Sequence, residues 1–525
     1  MSLPSFTSGL SRREFFGKLT GGTTGKALAA AIPLAVLKSA QAQTTPATSS
    51  DPTDEIIWMS ATKLAQQIRE KKVSATEAVK AFIDRQEKVN RRMNAVVMMC
   101  YDRALAEAKA ADEALARGES LGALHGVPIT IKDSLDTEGV ISTGGTIGRE
   151  EFVPSKDATV VARVRKAGAI LLGKTNTPEF TLGGLGGLST TSNLVYGSSR
   201  NPYDLSRSTS GSSGGAGANI AAGGAAFDIG SDWGGSIRGP AHNQGIVGIK
   251  PTSVRVPRTG HIVGYGGVFD LWQQLGPLAR RVEDAALITP IIAGPDFQDA
   301  SCAPVPWANP ASVDLKKLKV AYFADNRHAD TDADTRAAIT TAAKWLDGSV
   351  ADITEDLPTD ILTELYEARS KLTSGDAWAF YSRLAEKNHT KAFSPQVHDR
   401  MAKMVPISTA DYVEAWFTQD TNKARMLEWF SKYDVLLCPV AGKPAQPIDM
   451  GYDPSTVAGL SGQWSYTGCF NTTGWPVVVV RVGSSADGKL PIGIQVVANP
   501  WREDICIAVA SALEMKSGGW KRPPI

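Results

Sequence analysis

A hydroxyl nucleophile needs a base, and the residue most often used is histidine. The chain has six, His125, His242, His261, His328, His389 and His398. No serine, however, sits in a Gly-x-Ser-x-Gly elbow that leads a strand into a helix, although Gly211-Ser212-Ser213-Gly214-Gly215 comes close. No histidine pair has metal-ligand spacing, and His125 and His242 read as packing residues with the other four on the surface. The five cysteines, at positions 100, 302, 438, 469 and 506, are odd in number and lack CxxC spacing, which argues against a disulfide framework and against a thiolate zinc site. Phosphate cradling at Gly183–Gly187 or Gly211–Gly215 is a weak reading, because neither run ends in Gly-Lys-Ser/Thr. Glycine itself is informative. Of 50 glycines, 22 fall between Gly183 and Gly276. Backbone without side chains can approach a ligand closely, so this stretch reads as a site built from main-chain groups. Ile220, Phe227, Ile229, Ile246, Val247 and Ile249 are interleaved there, which excludes a mere linker.

The segments around that stretch are specific. Ser210-Gly211-Ser212-Ser213-Gly214-Gly215 is followed by Gly230-Ser231-Asp232-Trp233-Gly234-Gly235-Ser236-Ile237-Arg238 and Gly245-Ile246-Val247-Gly248-Ile249-Lys250-Pro251-Thr252. Upstream stands Leu124-His125-Gly126-Val127-Pro128-Ile129-Thr130-Ile131-Lys132-Asp133, and downstream Asn201-Pro202-Tyr203-Asp204 and Leu275-Gly276-Pro277-Leu278-Ala279-Arg280. Phe470-Asn471-Thr472-Thr473-Gly474-Trp475-Pro476 and Leu490-Pro491-Ile492-Gly493-Ile494-Gln495 complete the set. Together they resemble the amidase signature family of serine hydrolases, over the whole chain after residue 42 except the charged middle, Asp296 to Asp434.

The resemblance implies roles. Ser236 is the expected nucleophile, Ser212 a bridging serine on a cis peptide, and Lys132 the general base. The backbone N–H groups of Trp233, Gly234, Gly235 and Ser236 are the expected oxyanion hole, where an aimed donor is typically worth ~3–4 kcal/mol. Asp232, Arg238 and Ser213 are expected to support the loop. Neither metal nor cofactor is implied. The chemistry makes a demand of its own: an amine of ordinary pKa ~10.4 is protonated at neutral pH, so Lys132 must be desolvated and Asp133 must point away from it. The relay must also return a proton to the leaving nitrogen, because an amide anion leaves poorly. Two positions depart from the family pattern. Ser210 stands where glycine is common, and Trp233 where a small or β-branched residue is, so both are expected to reshape the pocket floor.

Elements must hold these groups in place. Ser60–Lys72 and Ser74–Arg92 read as helices, the second opened by the capping box Ser74-Ala75-Thr76-Glu77, and Tyr101–Arg117 as a third. Apolar runs Val127–Ile131 and Ala169–Leu172 flank a helical pattern at Ala158–Ala167, an alternation that predicts an α/β fold. With the resemblance, the expectation is a large mixed twisted sheet flanked by helices on both faces. Asp296–Asp434 reads as mostly helical and substrate-shaping, with Tyr412, Trp416, Phe417, Ala424, Leu427 and Phe430 on one helical face. Val435–Leu437, Val477–Val482 and Ile492–Val497 read as buried strands, before a closing helix Glu503–Met515. Ten of the twelve tryptophans follow residue 270, which tilts the acyl pocket towards a large or aromatic group.

Residues 1–42 read as an export signal. Ser11-Arg12-Arg13-Glu14-Phe15-Phe16 precedes an apolar stretch from Ala27 to Leu37 and the small-x-small site Ala40-Gln41-Ala42, the layout of a twin-arginine (Tat) signal peptide, which points to the periplasm or secretion. Thr44–Asp54 reads as a flexible leader, and residues 43–525 as one catalytic domain. The signal carries five basic residues against Glu14 alone, so the remainder has 50 basic and 53 acidic residues where the whole chain has 55 and 54. Near-neutral charge gives no footprint for nucleic acid, and no apolar run reaches the ~20 residues of a membrane span. The partner expected is a small-molecule amide, and a homodimer is the assembly that symmetry favours. The reading is thus an exported hydrolase of carboxamide C–N bonds, of the linear amide class. Its rivals are an amidotransferase A-type subunit supplying ammonia to a partner, and an inactive binding protein on the same scaffold.

Overall fold

The computed structural model describes residues 52–181, 191–264, 271–376, 378–448 and 465–525. The residues read as an export signal and most of those read as a leader lie outside the described residues. The leader's end is not loose: a helix runs over Pro52–Trp58.

The strands are β1 Val96–Met99, β2 Pro128–Lys132, β3 Ile170–Thr175, β4 Ser192–Asn193, β5 Gly197–Ser198, β6 Phe227–Asp232 and β7 Val247–Lys250. They continue with β8 Gln274–Ala279, β9 Lys319–Tyr322, β10 Asp352–Glu355, β11 Val435–Pro439, β12 Val477–Ser484 and β13 Pro491–Ala498. Apart from a small β4–β5 ladder, they form one eleven-stranded sheet in the order β1-β3-β2-β6-β8-β7-β12-β13-β11-β9-β10. The sheet is mixed: β3-β2-β6 and β11-β9-β10 are parallel, and the strands between β6 and β11 are antiparallel.

Both faces are buried, as side-chain alternation requires of near-continuous apolar strands. Val478, Val480, Ile494, Val496, Val435 and Leu437 join the largest core cluster. That cluster also takes Ile339, Ala342 and Leu346 of helix Ala333–Leu346 and Ile505, Val509 and Leu513 of helix Glu503–Ser517. The alternate residues Val477, Val497, Leu436 and Cys438 face the other way, onto Phe430, Tyr466 and Phe470. Val479 packs with Ala216, Ile220 and Ala241 of helices Gly214–Ala221 and Arg238–Gln244. The expected α/β architecture with helices on both faces is what the chain adopts.

Local signals were obeyed closely at the start of the fold. Helix Ala75–Met93 opens with Ser74 accepting from the Glu77 N–H at 3.0 Å while Glu77 accepts from the Ser74 N–H at 2.8 Å, a complete capping box. The middle differs from expectation in two respects. Asp296–Asp434 holds the helices Thr359–Ser374, Ala379–Lys387, Pro395–Lys403 and Thr409–Phe430, but it also supplies β9 and β10 to the sheet edge. In helix Thr409–Phe430 the buried stripe is Ala415, Gln419, Asn422, Met426, Trp429 and Phe430. Phe417 and Leu427, which the sequence places on one apolar helical face, are 67% and 46% exposed. Asn422 bonds Glu364 across to helix Thr359–Ser374, so a polar contact occupies the stripe where apolar residues were looked for. All five cysteines are free thiols.

Candidate active site

Parallel neighbours β2 and β6 end side by side, with Thr130 opposite Asp228 and Ile131 opposite Ile229. Lys132 is the last residue of β2, and Ser231 and Asp232 close β6. Ser212 and Ser213 come in just before helix Gly214–Ala221, and the Gly211–Ser212 peptide is cis. Space for this convergence comes from Gly230, where a Cβ would stand 2.7 Å from Ser213 Oγ.

Lys132 is fully buried, and its Nζ lies 2.7 Å from Ser212 Oγ, 3.0 Å from Ser213 Oγ and 2.9 Å from Ser231 Oγ. Three hydroxyls surround it, and among the described residues no carboxylate bonds to it. Burial pulls the amine down to about 7, against the smaller upward pull of Asp232 and Asp228. Asp133 points away as required: its carboxylate accepts from the Thr143 N–H at 3.1 Å and from the Thr143 hydroxyl. Asp228, below the site, takes hydroxyl bonds from Thr130 at 2.7 Å and Thr175 at 3.0 Å. Burial raises its carboxyl to about 7.

The loop after β6 hangs on Asp232. Its Oδ1 accepts from the Gly235 N–H at 2.9 Å and its Oδ2 from the Ile237 N–H at 3.0 Å, while Arg238 pairs with both oxygens. Burial alone would raise this carboxyl, but the Arg238 guanidinium and these donors hold it well below the usual range. Arg238 in turn reaches Gln495 Oε1 at 2.8 Å and the Asn471 side-chain oxygen at 2.5 Å, and Asn471 donates back to Asp232 Oδ1 at 2.9 Å. Charges buried this deeply are tolerable only when so fully paired.

Ser236 is half-buried at the mouth of this arrangement, tied to the Ser212 segment by the Ser213 N–H, which donates to Ser236 O at 3.1 Å. Its hydroxyl has no hydrogen-bond partner among the described residues, so the link from Ser212 to Ser236 is open in this structure. The four amides expected to form the oxyanion hole differ in their partners. The Gly235 N–H is already given to Asp232, whereas the N–H groups of Gly234 and Ser236 have no acceptor among the described residues. Gly235 has φ +131, a conformation that disfavours any side chain. Ser210 has φ +57, the region that explains why glycine is common there.

Ser212, Ser213, Lys132, Asp232, Arg238 and the loop from Trp233 to Ser236 are therefore brought together. Ser231, Asn471, Gln495 and Arg369 belong to the site as well. Ser231, Asn471 and Gln495 stood inside the segments that carried the resemblance, so a signal existed; Arg369 lies in the charged middle, and no motif pointed to it. One histidine departs from expectation: His261 is 4% exposed, not on the surface; its main chain bridges to Leu135, just after β2, and burial holds its imidazole well below the usual range. His125 and His242 are fully buried, as read from the sequence. Among the described residues no group of three His, Cys, Asp or Glu could hold a metal ion, and no helix is long and apolar enough to cross a membrane.

Comparison with known proteins points to one family. The family model described as Amidase matches residues 77–507. The A subunit of the glutamyl-tRNA(Gln) amidotransferase of Carboxydothermus hydrogenoformans is 34% identical over 499 residues, covering 90% of this chain and 99% of that protein. Among solved structures, 6-aminohexanoate cyclic dimer hydrolase complexed with substrate superposes with a TM-score of 0.75 at 28% identity, over 89% of this chain and 99% of that one. A bacterial aryl acylamidase belonging to the amidase signature enzymes does so with a TM-score of 0.75 at 25% identity, over 88% and 97%.

Proposed function

This chain belongs to the amidase signature family, and from that premise we propose that it hydrolyses a linear carboxamide through an acyl-enzyme on Ser236. The observation that carries the reading is the Lys132 amine, buried among three hydroxyls and 2.7 Å from Ser212. Ser236 Oγ attacks the carbonyl carbon, its proton passes to Ser212, and the Ser212 proton passes to neutral Lys132. The tetrahedral oxyanion is met by the Gly234 and Ser236 N–H groups, with the Trp233 amide beside them. As the C–N bond breaks, the proton returns through Ser212 to the leaving nitrogen. Water then attacks the Ser236 ester by the same relay and releases the acid. The open Ser212–Ser236 link closes when substrate fixes the Ser236 rotamer; hydrogen bonds of this kind are commonly long before substrate is bound.

A second reading shares every step up to the release of the amine. The curated relatives at 34% identity are amidotransferase A-type subunits, matched along nearly their whole length. On that reading the amide is glutamine and the ammonia goes to a partner protein. The twin-arginine segment at Ser11–Phe16 favours the hydrolase, since an exported protein has no charged transfer RNA to serve, and it supports export to the periplasm. The cyclic dimer of 6-aminohexanoate named for one structural neighbour and the aryl acylamide of another mark the substrate range to try first beside simple linear amides.

The test is ammonia or amine release by the purified protein on paired amides and esters, glutamine included, with Ser236→Ala as control. Amide turnover that falls to background in S236A supports the reading, and the best acyl group names the substrate. Turnover of glutamine alone, raised by a co-purifying partner, would replace it with the second reading. Turnover unchanged in S236A would end both.

A further inference from the structure

A cation from the stretch of chain that has no recognisable motif reaches the loop after β6. Arg369 lies on helix Thr359–Ser374 and is 8% exposed. Its Nη2 donates to the Trp233 carbonyl at 2.7 Å, and its Nη1 lies 3.4 Å from Thr472 Oγ1. Its guanidinium carbon sits 4.5 Å from the Trp233 ring centroid and 4.6 Å from that of Trp272. Gly468 leaves it room, since a Cβ there would stand 3.2 Å from Arg369 Nε. No carboxylate pairs with it among the described residues. The Arg238 guanidinium has an obvious purpose in holding Asp232, but this one is spent on a backbone carbonyl.

That carbonyl belongs to the peptide unit whose other end is the Gly234 N–H. The unit is trans, the Gly211–Ser212 bond being the one cis peptide among the described residues. In a trans peptide C=O and N–H point in opposite directions. A donor that fixes the Trp233 oxygen therefore fixes the direction of the Gly234 N–H, one of the two loop amides without an acceptor. The next peptide is held in the same way, with the Thr467 hydroxyl donating to Gly234 O and the Gly235 N–H donating to Asp232. A glycine pair held by nothing else could rotate either unit, and a rotated unit would present a carbonyl to the developing negative charge.

We propose that Arg369 is a positioning residue for the oxyanion hole, turning the Trp233–Gly234 peptide so that its N–H faces the reacting carbonyl. The aromatic box of Trp233 and Trp272 holds the guanidinium flat and dry, which makes the bond to the Trp233 oxygen stronger and its direction fixed. The inference rests on the acyl-Ser236 reading. It adds that the motif-free helical segment sets the rate of the chemical step and not only the choice of substrate.

The experiment uses the full chain, its best amide substrate from the panel, and the trifluoromethyl ketone with the same acyl group, which adds to the Ser236 hydroxyl to give a tetrahedral oxyanion. Arg369→Gln should lower kcat by ~10–10²-fold, the scale of a misaimed oxyanion donor, with KM within about threefold. Ketone affinity should fall by a similar factor, while binding of the product acid holds. Arg369→Lys, which keeps a donor and a charge but loses the planar fork, should recover part of the loss. Both should keep the apparent pKa of the rate profile, because the relay is untouched. A rise in KM confined to amides bearing a carboxylate, with kcat and ketone affinity unchanged, would overturn the inference and make Arg369 a substrate anchor. Equal losses of ketone and product-acid binding would overturn it too, as plain damage. If R369Q does not fold, R369K decides by the same ratios. An active S236A would sink the acyl-enzyme reading itself, whereas a dead S236A beside a normal R369Q would sink this inference alone.

Discussion

Two lysines on adjacent parallel strands are equally buried and have opposite surroundings. Lys132 ends β2, and Lys174 sits on β3 opposite Ile131; neither has any exposed surface. Burial lowers both amines from their ordinary value. The difference lies in what surrounds them. Lys174 Nζ donates to the Leu135 carbonyl at 2.6 Å and to Ser142 at 2.8 Å, with Asp133 Oδ1 at 3.9 Å. A carbonyl and a carboxylate can only accept, so that environment suits an ammonium. Lys132 faces three hydroxyls, each able to accept or donate, so it is satisfied as a neutral amine as well as an ammonium. Burial alone does not make a base; partners that can hand protons back do.

The contrast can be broken most severely at Lys132. Lys132→Ala should lower kcat on amides by ~10²–10⁴-fold, the usual range for losing a general base, and lower it less on esters with good leaving groups, which need no returned proton. Its thermal midpoint should hold or rise. The sign follows from linkage: the folded pKa of about 7 lies below the unfolded value, so between the two the unfolded chain binds more protons and the buried amine costs stability. Lys174→Met should do the reverse. It leaves Asp133 buried without its cation, a loss of about 3 kcal/mol read by denaturant unfolding, while kcat per folded molecule stays within about threefold. If K174M lost activity as K132A does and unfolded no more readily, the division of labour between the two lysines would be wrong.

How much of this was legible in the sequence depended on where the information was local. The Ser74 capping box, the strand that ends at Lys132 and the clustering of Gly211–Gly215 with Gly230–Gly235 all announce themselves over a few residues. The requirement that Asp133 turn away could be derived from chemistry before any geometry. What stayed hidden was set by tertiary contacts. Strand β10 is Asp-Ile-Thr-Glu and mostly exposed, an edge strand with no apolar run to find. The buried stripe of helix Thr409–Phe430 contains Gln419 and Asn422, so a search for apolar periodicity chose Phe417 and Leu427 instead. Arg369 was invisible because its work is a contact with one carbonyl 136 residues away. The expected oxyanion amides show a related limit: the sequence places four amides in a row but does not say that the Gly235 N–H donates to Asp232.

A subtler test of the same comparison is the pH profile. With Lys132 at about 7, kcat/KM should rise as pH rises through about 7 and then level, since the lysine accepts a proton only when neutral. The rising limb should vanish in K132A and survive in K174M. Asp228 titrates in the same range, and its carboxylate favours the Lys132 ammonium, so Asp228→Asn should move the limb to lower pH without abolishing it. A limb lost in D228N and kept in K132A would hand the titration to the aspartate.

The smallest effect separates the three hydroxyls. Ser231 Oγ lies 2.9 Å from Lys132 Nζ, but it belongs to β6 and its main chain pairs with Leu275 on β8, so it is held in place and is not part of the path to Ser236. An ammonium uses all three hydroxyls as acceptors, whereas a neutral amine has two N–H groups and a lone pair to satisfy. Ser231→Ala therefore removes more from the charged form than from the neutral one, and the limb should shift to lower pH. A lost hydrogen bond of about 1 kcal/mol corresponds to no more than about a fivefold change in kcat at the plateau. Ser212→Ala, which interrupts the path itself, should instead collapse the plateau and leave no limb to shift. If S231A fell as far as S212A, all three hydroxyls would be carrying protons, and the distinction between a cage and a relay would have no meaning at Lys132.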